Sequence, residues 1–283
     1  MIAETIGIAA IQSSLHWENR GRNLEHFTLL LRKLDESVDL IVLPEMFTTG
    51  FSMNPAPLAE KTDGPTLQWM RLQAALYNSV VTGSIIVEEN GKFMNRLLWV
   101  RPDGSFETYD KRHLFRMAGE DLHYASGQQP LTVDLKGWEI RPLICYDLRF
   151  PVWSRNRWNT DGSVADYDVL LYVANWPERR SNVWKTLLQA RAMENQAYVV
   201  GVNRIGNDAH QVYHTGDSVI LDFKGEPITS ALIATEEILT ARLSMKELVD
   251  FRTHFPVGRD ADSFTLSYRP VRPTRALSSC FFQ

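Results

Sequence analysis

Cysteine is nearly missing: the 283 residues hold two, Cys145 and Cys280. Two thiols so far apart do not make a disulfide framework, and a reducing, cytoplasmic setting is expected. Long hydrophobic runs are missing as well. No stretch approaches the ~18 consecutive apolar residues of a membrane-spanning helix. There is no excess of positive charge; the formal net charge is −4, which argues against a nucleic-acid surface. The opening Met1-Ile2-Ala3-Glu4-Thr5 carries no positive group ahead of its apolar stretch and does not read as a signal peptide. Histidines such as His210 and His214 lack metal-ligand spacing with a cysteine or acid cluster, so neither metal nor cofactor is expected. What remains is ordinary for a folded, soluble chain: 44% hydrophobic and 23% charged residues, with length enough for a substantial core.

Apolar patterning predicts strands over 5–11, 38–43, 80–87, 93–101 and 105–110 in the first part of the chain. Further strands are predicted over 131–135, 138–145, 168–174, 197–203, 218–222 and 238–243. Helices are predicted over 22–34, 65–77 with Pro65 near its start, 181–195 with Ser181 as N-cap, and 244–253 behind a Ser244–Glu247 capping box. Asn90-Gly91 and Lys136-Gly137 mark hairpin turns. Residues 153–166 read as a surface excursion. Strands alternate with helices at both ends and form hairpins between, which implies an α/β layered domain with a mixed sheet.

Three segments carry chemistry. Leu40-Ile41-Val42-Leu43 is a strand that Pro44 ends, leaving Glu45 at its carboxyl end. Lys111 follows the strand that leaves the Asp103-Gly104 turn, and Cys145 ends an apolar strand just before Tyr146-Asp147-Leu148-Arg149-Phe150-Pro151. Singly, each has a bland reading: loop acid, surface charge, small core residue. Together they form a set with a purpose. A free thiol, pKa ~8.5, is mostly protonated at neutral pH. A carboxylate can take its proton, and an ammonium can steady the thiolate and later an oxyanion. His113 is the rival base, as in a Cys–His enzyme, but the residues around Cys145 lack the context of such nucleophiles. A structural hydrogen bond is the expectation for His113.

The segments "LPEMF", "YDKRHLF" and "ICYDLRFP" resemble the three catalytic motifs of the nitrilase superfamily, the carbon–nitrogen hydrolases. The similarity continues through "YVANWP", "LLQARAMENQAYVVGVNR" and "GDSVILDFKGE" and spans residues 4–250. It implies a four-layer α-β-β-α sandwich, a hydrolase domain over 1–255, a C-terminal extension over 256–283, and assembly as a homodimer or larger homo-oligomer. It implies Glu45, Lys111 and Cys145 as the catalytic set. It also implies a second glutamate beyond the lysine, for which Glu120 is the candidate and a solvated loop acid the alternative. "CYDLRFP" with "YVANWP" is most similar to the omega-amidase branch. The implied substrates are a short dicarboxylic acid monoamide, such as α-ketoglutaramate, and water. Hydrolysis is expected to run through a Cys145 thioester, with Lys111 and the Tyr146 N–H holding the oxyanion. One carboxylate acting as base, acid and base again calls for partial burial of Glu45. Phe47, Phe115, Tyr146 and Trp176 are expected to line the pocket. Arg149 is expected to grip a carboxylate or else to brace Glu194 or Asp147, and Asn175 to line the site or serve the fold. The same set serves N-carbamoyl hydrolases, deaminated-glutathione amidases, aliphatic amidases and nitrilases. A binding protein that kept the fold and lost the chemistry is the alternative of a different class.

Overall fold

The structure is a computed structural model that describes residues 2–34, 36–159, 162 and 164–266. In chain order the elements are β1 (Thr5–Gln12), α1 (Arg20–Leu31), β2 (Leu40–Val42), α2 (Pro65–Tyr77), β3 (Val80–Glu89), β4 (Lys92–Val100) and β5 (Phe106–Asp110). Next are α3 (Glu120–His123), β6 (Val133–Leu135), β7 (Trp138–Ile144), α4 (Pro151–Ser154), β8 (Val169–Ala174), α5 (Ser181–Asn195) and β9 (Tyr198–Asn203). Last come β10 (Ile205–Asn207), β11 (Tyr213–Thr215), β12 (Val219–Leu221), β13 (Pro227–Ser230), β14 (Glu237–Ser244) and α6 (Met245–His254).

The strands form two six-stranded sheets, ordered β14-β1-β2-β3-β4-β5 and β13-β12-β9-β8-β7-β6. Each is mixed in the same way. A parallel trio, β1-β2-β3 or β7-β8-β9, is extended on both sides by antiparallel strands. Successive side chains of a strand point to opposite faces, and β1 uses both. Ile6, Ile8 and Ala10 join the core between the sheets, where they meet Ile140, Val169 and Val200 of the second sheet. Ala9 and Ile11 face outward onto Phe27 and Leu31 of α1 and Leu67 and Met70 of α2. On the far side, Trp184 and Leu188 of α5 lie against Gly201 of β9 so closely that a β-carbon there would stand 2.5 Å from Leu188. Phe251 of α6 packs on Phe223 at 4.7 Å. The layers are therefore helix, sheet, sheet, helix. None of the described helices is long and apolar enough to cross a membrane.

Local signals explain most boundaries. Asn90 and Gly91 both have positive φ, 54° and 73°, as the tight β3–β4 hairpin requires. Ser244 caps α6 by accepting from the Glu247 N–H at 3.3 Å. Ser181, expected to cap α5, does not. The 3₁₀ turn Glu178–Arg180 runs straight into the helix, and the Ser181 hydroxyl donates to Asp217 at 2.7 Å instead. The described part of 153–166, residues 153–159, 162 and 164–166, is less of a surface excursion than expected. Asn156 is buried and holds that corner by donating to the carbonyls of Tyr167 and Asn195 at 2.9 and 3.1 Å. Beyond α6, Gly258 is buried against the Trp158 ring; residues 267–283, with Cys280, lie outside the described residues.

Candidate active site

Glu45, Cys145 and Asn175 each follow the carboxyl end of an inner strand, β2, β7 or β8, the edge at which α/β sheets gather their chemistry. Beyond Pro44 the chain turns at Met46, whose φ is 44°. The turn is pinned to β3: the Met46 and Phe47 N–H groups donate to the Ser84 hydroxyl and carbonyl at 2.9 and 3.1 Å. This sends the Glu45 carboxylate inward, wholly buried. Cys145 also takes φ 44° and opens the 3₁₀ turn Cys145–Arg149. Buried Asp147 fixes that turn to the segment bearing Lys111. It accepts from the Ile144 N–H at 3.1 Å, the His113 N–H at 2.9 Å, His113 Nδ1 at 2.8 Å and the Tyr109 hydroxyl at 2.8 Å. From behind, Arg191 of α5 donates to the Leu148 carbonyl at 2.7 Å.

The predicted quartet converges. Lys111 Nζ lies 2.9 Å from Glu45 Oε1 and 3.0 Å from both carboxylate oxygens of Glu120. All three side chains are fully buried, so Glu45 is more enclosed than its expected partial burial. Two further groups hold Glu45: Asn95 Nδ2 donates to Oε1 at 2.8 Å, and the Asn175 N–H to Oε2 at 2.8 Å. Glu120 also accepts from the Phe115 N–H at 2.5 Å. The Cys145 thiol feels the charges of Glu45 and Lys111 and is partly open to the adjacent cavity.

Two carboxylates against one ammonium leave this buried cluster with an excess negative charge. Burial alone would favour neutral Lys111, but Glu120 and Glu45 outweigh it and hold the ammonium charged, above the ordinary lysine value. Burial also raises Glu120 above the usual carboxylate range, with Lys111 opposing and Glu45 adding to the rise. Cys145 is pushed well above a free thiol, by burial first and then by the charge of Glu45; the pull of Lys111 loses. The resting sulfur is therefore a thiol, and its proton must leave as the sulfur attacks.

Cys145 opens onto a cavity of about 290 Å³. Phe115, Tyr146, Arg149 and Trp176 line it, as expected, together with Phe51 and Asn175. Phe47 does not. Pinned to β3, its ring turns away from the site into the helix-facing core, where it meets Phe27 at 5.6 Å and Trp69 at 5.9 Å. Arg149 braces neither Glu194 nor Asp147. Its guanidinium lies over the Trp176 ring at 5.2 Å, and Glu194 pairs with Arg191. His113 is tied to Asp147 and stacks on Phe150 at 3.7 Å, a structural arrangement. Among the described residues, no cluster of three or more His, Cys, Asp or Glu is placed to hold a metal ion.

Several contributors escaped the sequence reading. Asn95 stands beside Arg96 in β4, ahead of the apolar run 97–100, and carried no signal of its own beyond being a polar residue in a buried strand. Arg179 and Arg180 look like surface charges in "PERRS". Asp208, His210 and His214 reach the cavity from the β10–β11 ribbon.

Comparison with known proteins agrees with this geometry. The family profile described as carbon-nitrogen hydrolase matches residues 7–253. The omega-amidase YafV of Yersinia enterocolitica is 45% identical over 262 residues, covering 93% of this chain and 99% of that protein. A 2-oxoglutaramate amidase of Bacillus subtilis is 30% identical over 256 residues, covering 89% and 96%. Among solved structures, XC1258 of Xanthomonas campestris, a CN-hydrolase superfamily protein with an arsenic adduct in its active site, superposes with a TM-score of 0.90 at 43% identity, covering 94% of this chain and all of that one.

Proposed function

The chain belongs to the carbon–nitrogen hydrolase family, and we propose that it hydrolyses the ω-amide of a short dicarboxylic acid, with 2-oxoglutaramate as the representative substrate, to the free acid and ammonia. The observation that carries this reading is a Glu45–Lys111–Cys145 set beside a cavity whose wall holds Arg149, Arg179 and Arg180. The first supplies amide chemistry; the second suits a substrate with a carboxylate. The names of the relatives support the same choice.

The steps derive from the cluster. Glu45 takes the Cys145 proton while the sulfur bonds to the amide carbon, and the carbonyl electrons move onto oxygen. That oxyanion is met by the Lys111 ammonium and the Tyr146 N–H, and losing one such donor costs about 3–4 kcal/mol of barrier. As the intermediate collapses, the C–N bond breaks, Glu45 passes its proton to nitrogen and ammonia leaves a thioester. Water attacks the thioester, Glu45 takes the water's proton, and the C–S bond breaks. The departing sulfur recovers the proton and the acid is released. Glu120 and Asn95 act through their partners, holding Lys111 and Glu45 in place. Arg149 takes the distal carboxylate, aided by its fork-shaped donor set. The setting we propose is a homodimer or larger homo-oligomer in a reducing cytoplasm, with the hydrolase domain over residues 1–255.

An ammonia-release screen tests the substrate. It compares 2-oxoglutaramate and other ω-amides of dicarboxylic acids with glutamine, N-carbamoyl amino acids, neutral aliphatic amides and nitriles, with Cys145→Ala as the control. The expected leader is 2-oxoglutaramate, with no release by Cys145→Ala. A neutral aliphatic amide in first place would overturn the substrate reading.

A further inference from the structure

Several enclosed arginines among the described residues answer to a carboxylate, although buried Arg204 meets only backbone carbonyls. Arg96 meets Asp110 and Glu89, Arg191 meets Glu194, and Arg252 meets Asp168. Three on the cavity wall, half-buried Arg149 and Arg180 and exposed Arg179, do not. Arg149, Arg179 and Arg180 have no ion-pair partner among the described residues. The acid on the same wall, Asp208, is engaged by its own loop, accepting from the His210 and Val212 N–H groups at 2.8 and 2.9 Å.

Arg180 is placed with care. It closes the 3₁₀ turn Glu178–Arg180 that comes after Asn175-Trp176-Pro177. Its carbonyl accepts from Trp176 Nε1 at 2.8 Å, which ties the turn to the ring under Arg149. Its guanidinium lies over Phe115 at 5.1 Å, and Phe115 meets Tyr146, next to the nucleophile, edge-on at 5.0 Å. Two half-buried cations thus stand on two aromatic shelves of one cavity. Arg180 holds its proton less tightly than a free arginine, from burial first, then from the charge of Arg179, with Arg149 adding to it. Like charges left uncompensated in a partly dry cavity are unfavourable, and an arriving anion relieves them.

We propose that Arg180 is a specificity-determining residue: with Arg149 it forms a two-guanidinium clamp for the substrate carboxylate, selecting amides that carry an ionised far end over neutral amides of the same length. This rests on the amidase reading above and names the groups behind its selectivity. A single guanidinium would attract an anion; two, each fixed on a ring, also define where that anion sits. The amide at the other end of a short substrate is then delivered to Cys145.

The test compares succinamate with butanamide, the neutral amide of equal length, in wild-type enzyme and in Arg180→Gln, Arg180→Lys and Arg180→Glu. The wild type is expected to prefer succinamate. Losing a hydrogen-bonded ionic contact should lower the succinamate-to-butanamide ratio of kcat/KM by roughly tenfold or more in Arg180→Gln, mainly through KM for succinamate. Arg180→Lys should recover part of the ratio, and Arg180→Glu should fall below Arg180→Gln. A wild-type preference that survives in Arg180→Gln, or an equal loss on both amides, overturns the clamp alone. A wild type indifferent to the carboxylate overturns the clamp and the substrate reading together.

Discussion

Replacing Glu120 by Gln separates catalysis from stability. Glu120 touches Lys111 through both oxygens at 3.0 Å and does not line the cavity. The amide keeps the shape but loses the charge, and part of what it offers the ammonium is a donor. Lys111 keeps Glu45 at 2.9 Å but is no longer held from two sides. One ionic hydrogen bond is worth about 2 kcal/mol. If that energy serves to keep Lys111 where the oxyanion forms, kcat falls roughly 30-fold, with little change in KM. Stability should move the other way. The native cluster sets two buried carboxylates against one ammonium, and burial already disfavours the charged form of Glu120. The variant leaves one of each, so the melting temperature should hold or rise. Steady-state ammonia release and thermal unfolding near neutral pH provide both readings. Full activity in the variant, or a fall in melting temperature that tracks the activity loss, refutes this reasoning.

Asp147→Asn puts two N–H groups where four donors now converge. It should cost about 2–4 kcal/mol, seen as a drop of roughly 5–10 °C in Tm, together with activity as the nucleophile turn loosens. His214 bears on acid stability. Its Nδ1 donates to the Gly206 carbonyl at 3.1 Å, and burial, with the charge of Arg204 adding, holds it down at about 4 against an ordinary 6.5. Between those values the unfolded chain binds a proton that the folded one refuses, so stability falls as pH drops from 6.5 to 4, by about 3 kcal/mol. Denaturant unfolding at several pH values should show that slope, and His214→Gln should flatten it; an unchanged slope would sink the assignment.

Glu45 and Cys145 were legible because each sits beside a local signal, whereas Glu120 came from the resemblance alone. Pro44 stops a strand ahead of Glu45, and an apolar run ends at Cys145. The strands of the parallel trios read well for a similar reason: Leu40, Ile41 and Val42 are buried on both faces and leave an unbroken apolar run. Pro65, Asn90-Gly91 and Ser244 fixed boundaries by local chemistry alone. Less could be read where a role depends on partners remote in sequence. Strands β10, β11 and β13 span three or four residues, too few to show alternation. Phe47 stands two residues beyond Glu45, but the positive φ at Met46 breaks the two-residue period between them. Arg180 looks like any surface cation until β8, the turn beyond it and the Phe115 loop meet. Ser181 has the right chemistry for a cap, but Asp217, 36 residues on, claims its hydroxyl.

The torsion at Cys145 has a lasting consequence for anyone redesigning this protein. With φ at 44°, the reactive position occupies left-handed space that costs a residue with a β-carbon about 1–2 kcal/mol. Alanine or serine there inherits the same twist, and only glycine escapes it, surrendering the sulfur. Endurance and reactivity thus compete for one backbone angle, and sturdier versions must be sought at other positions.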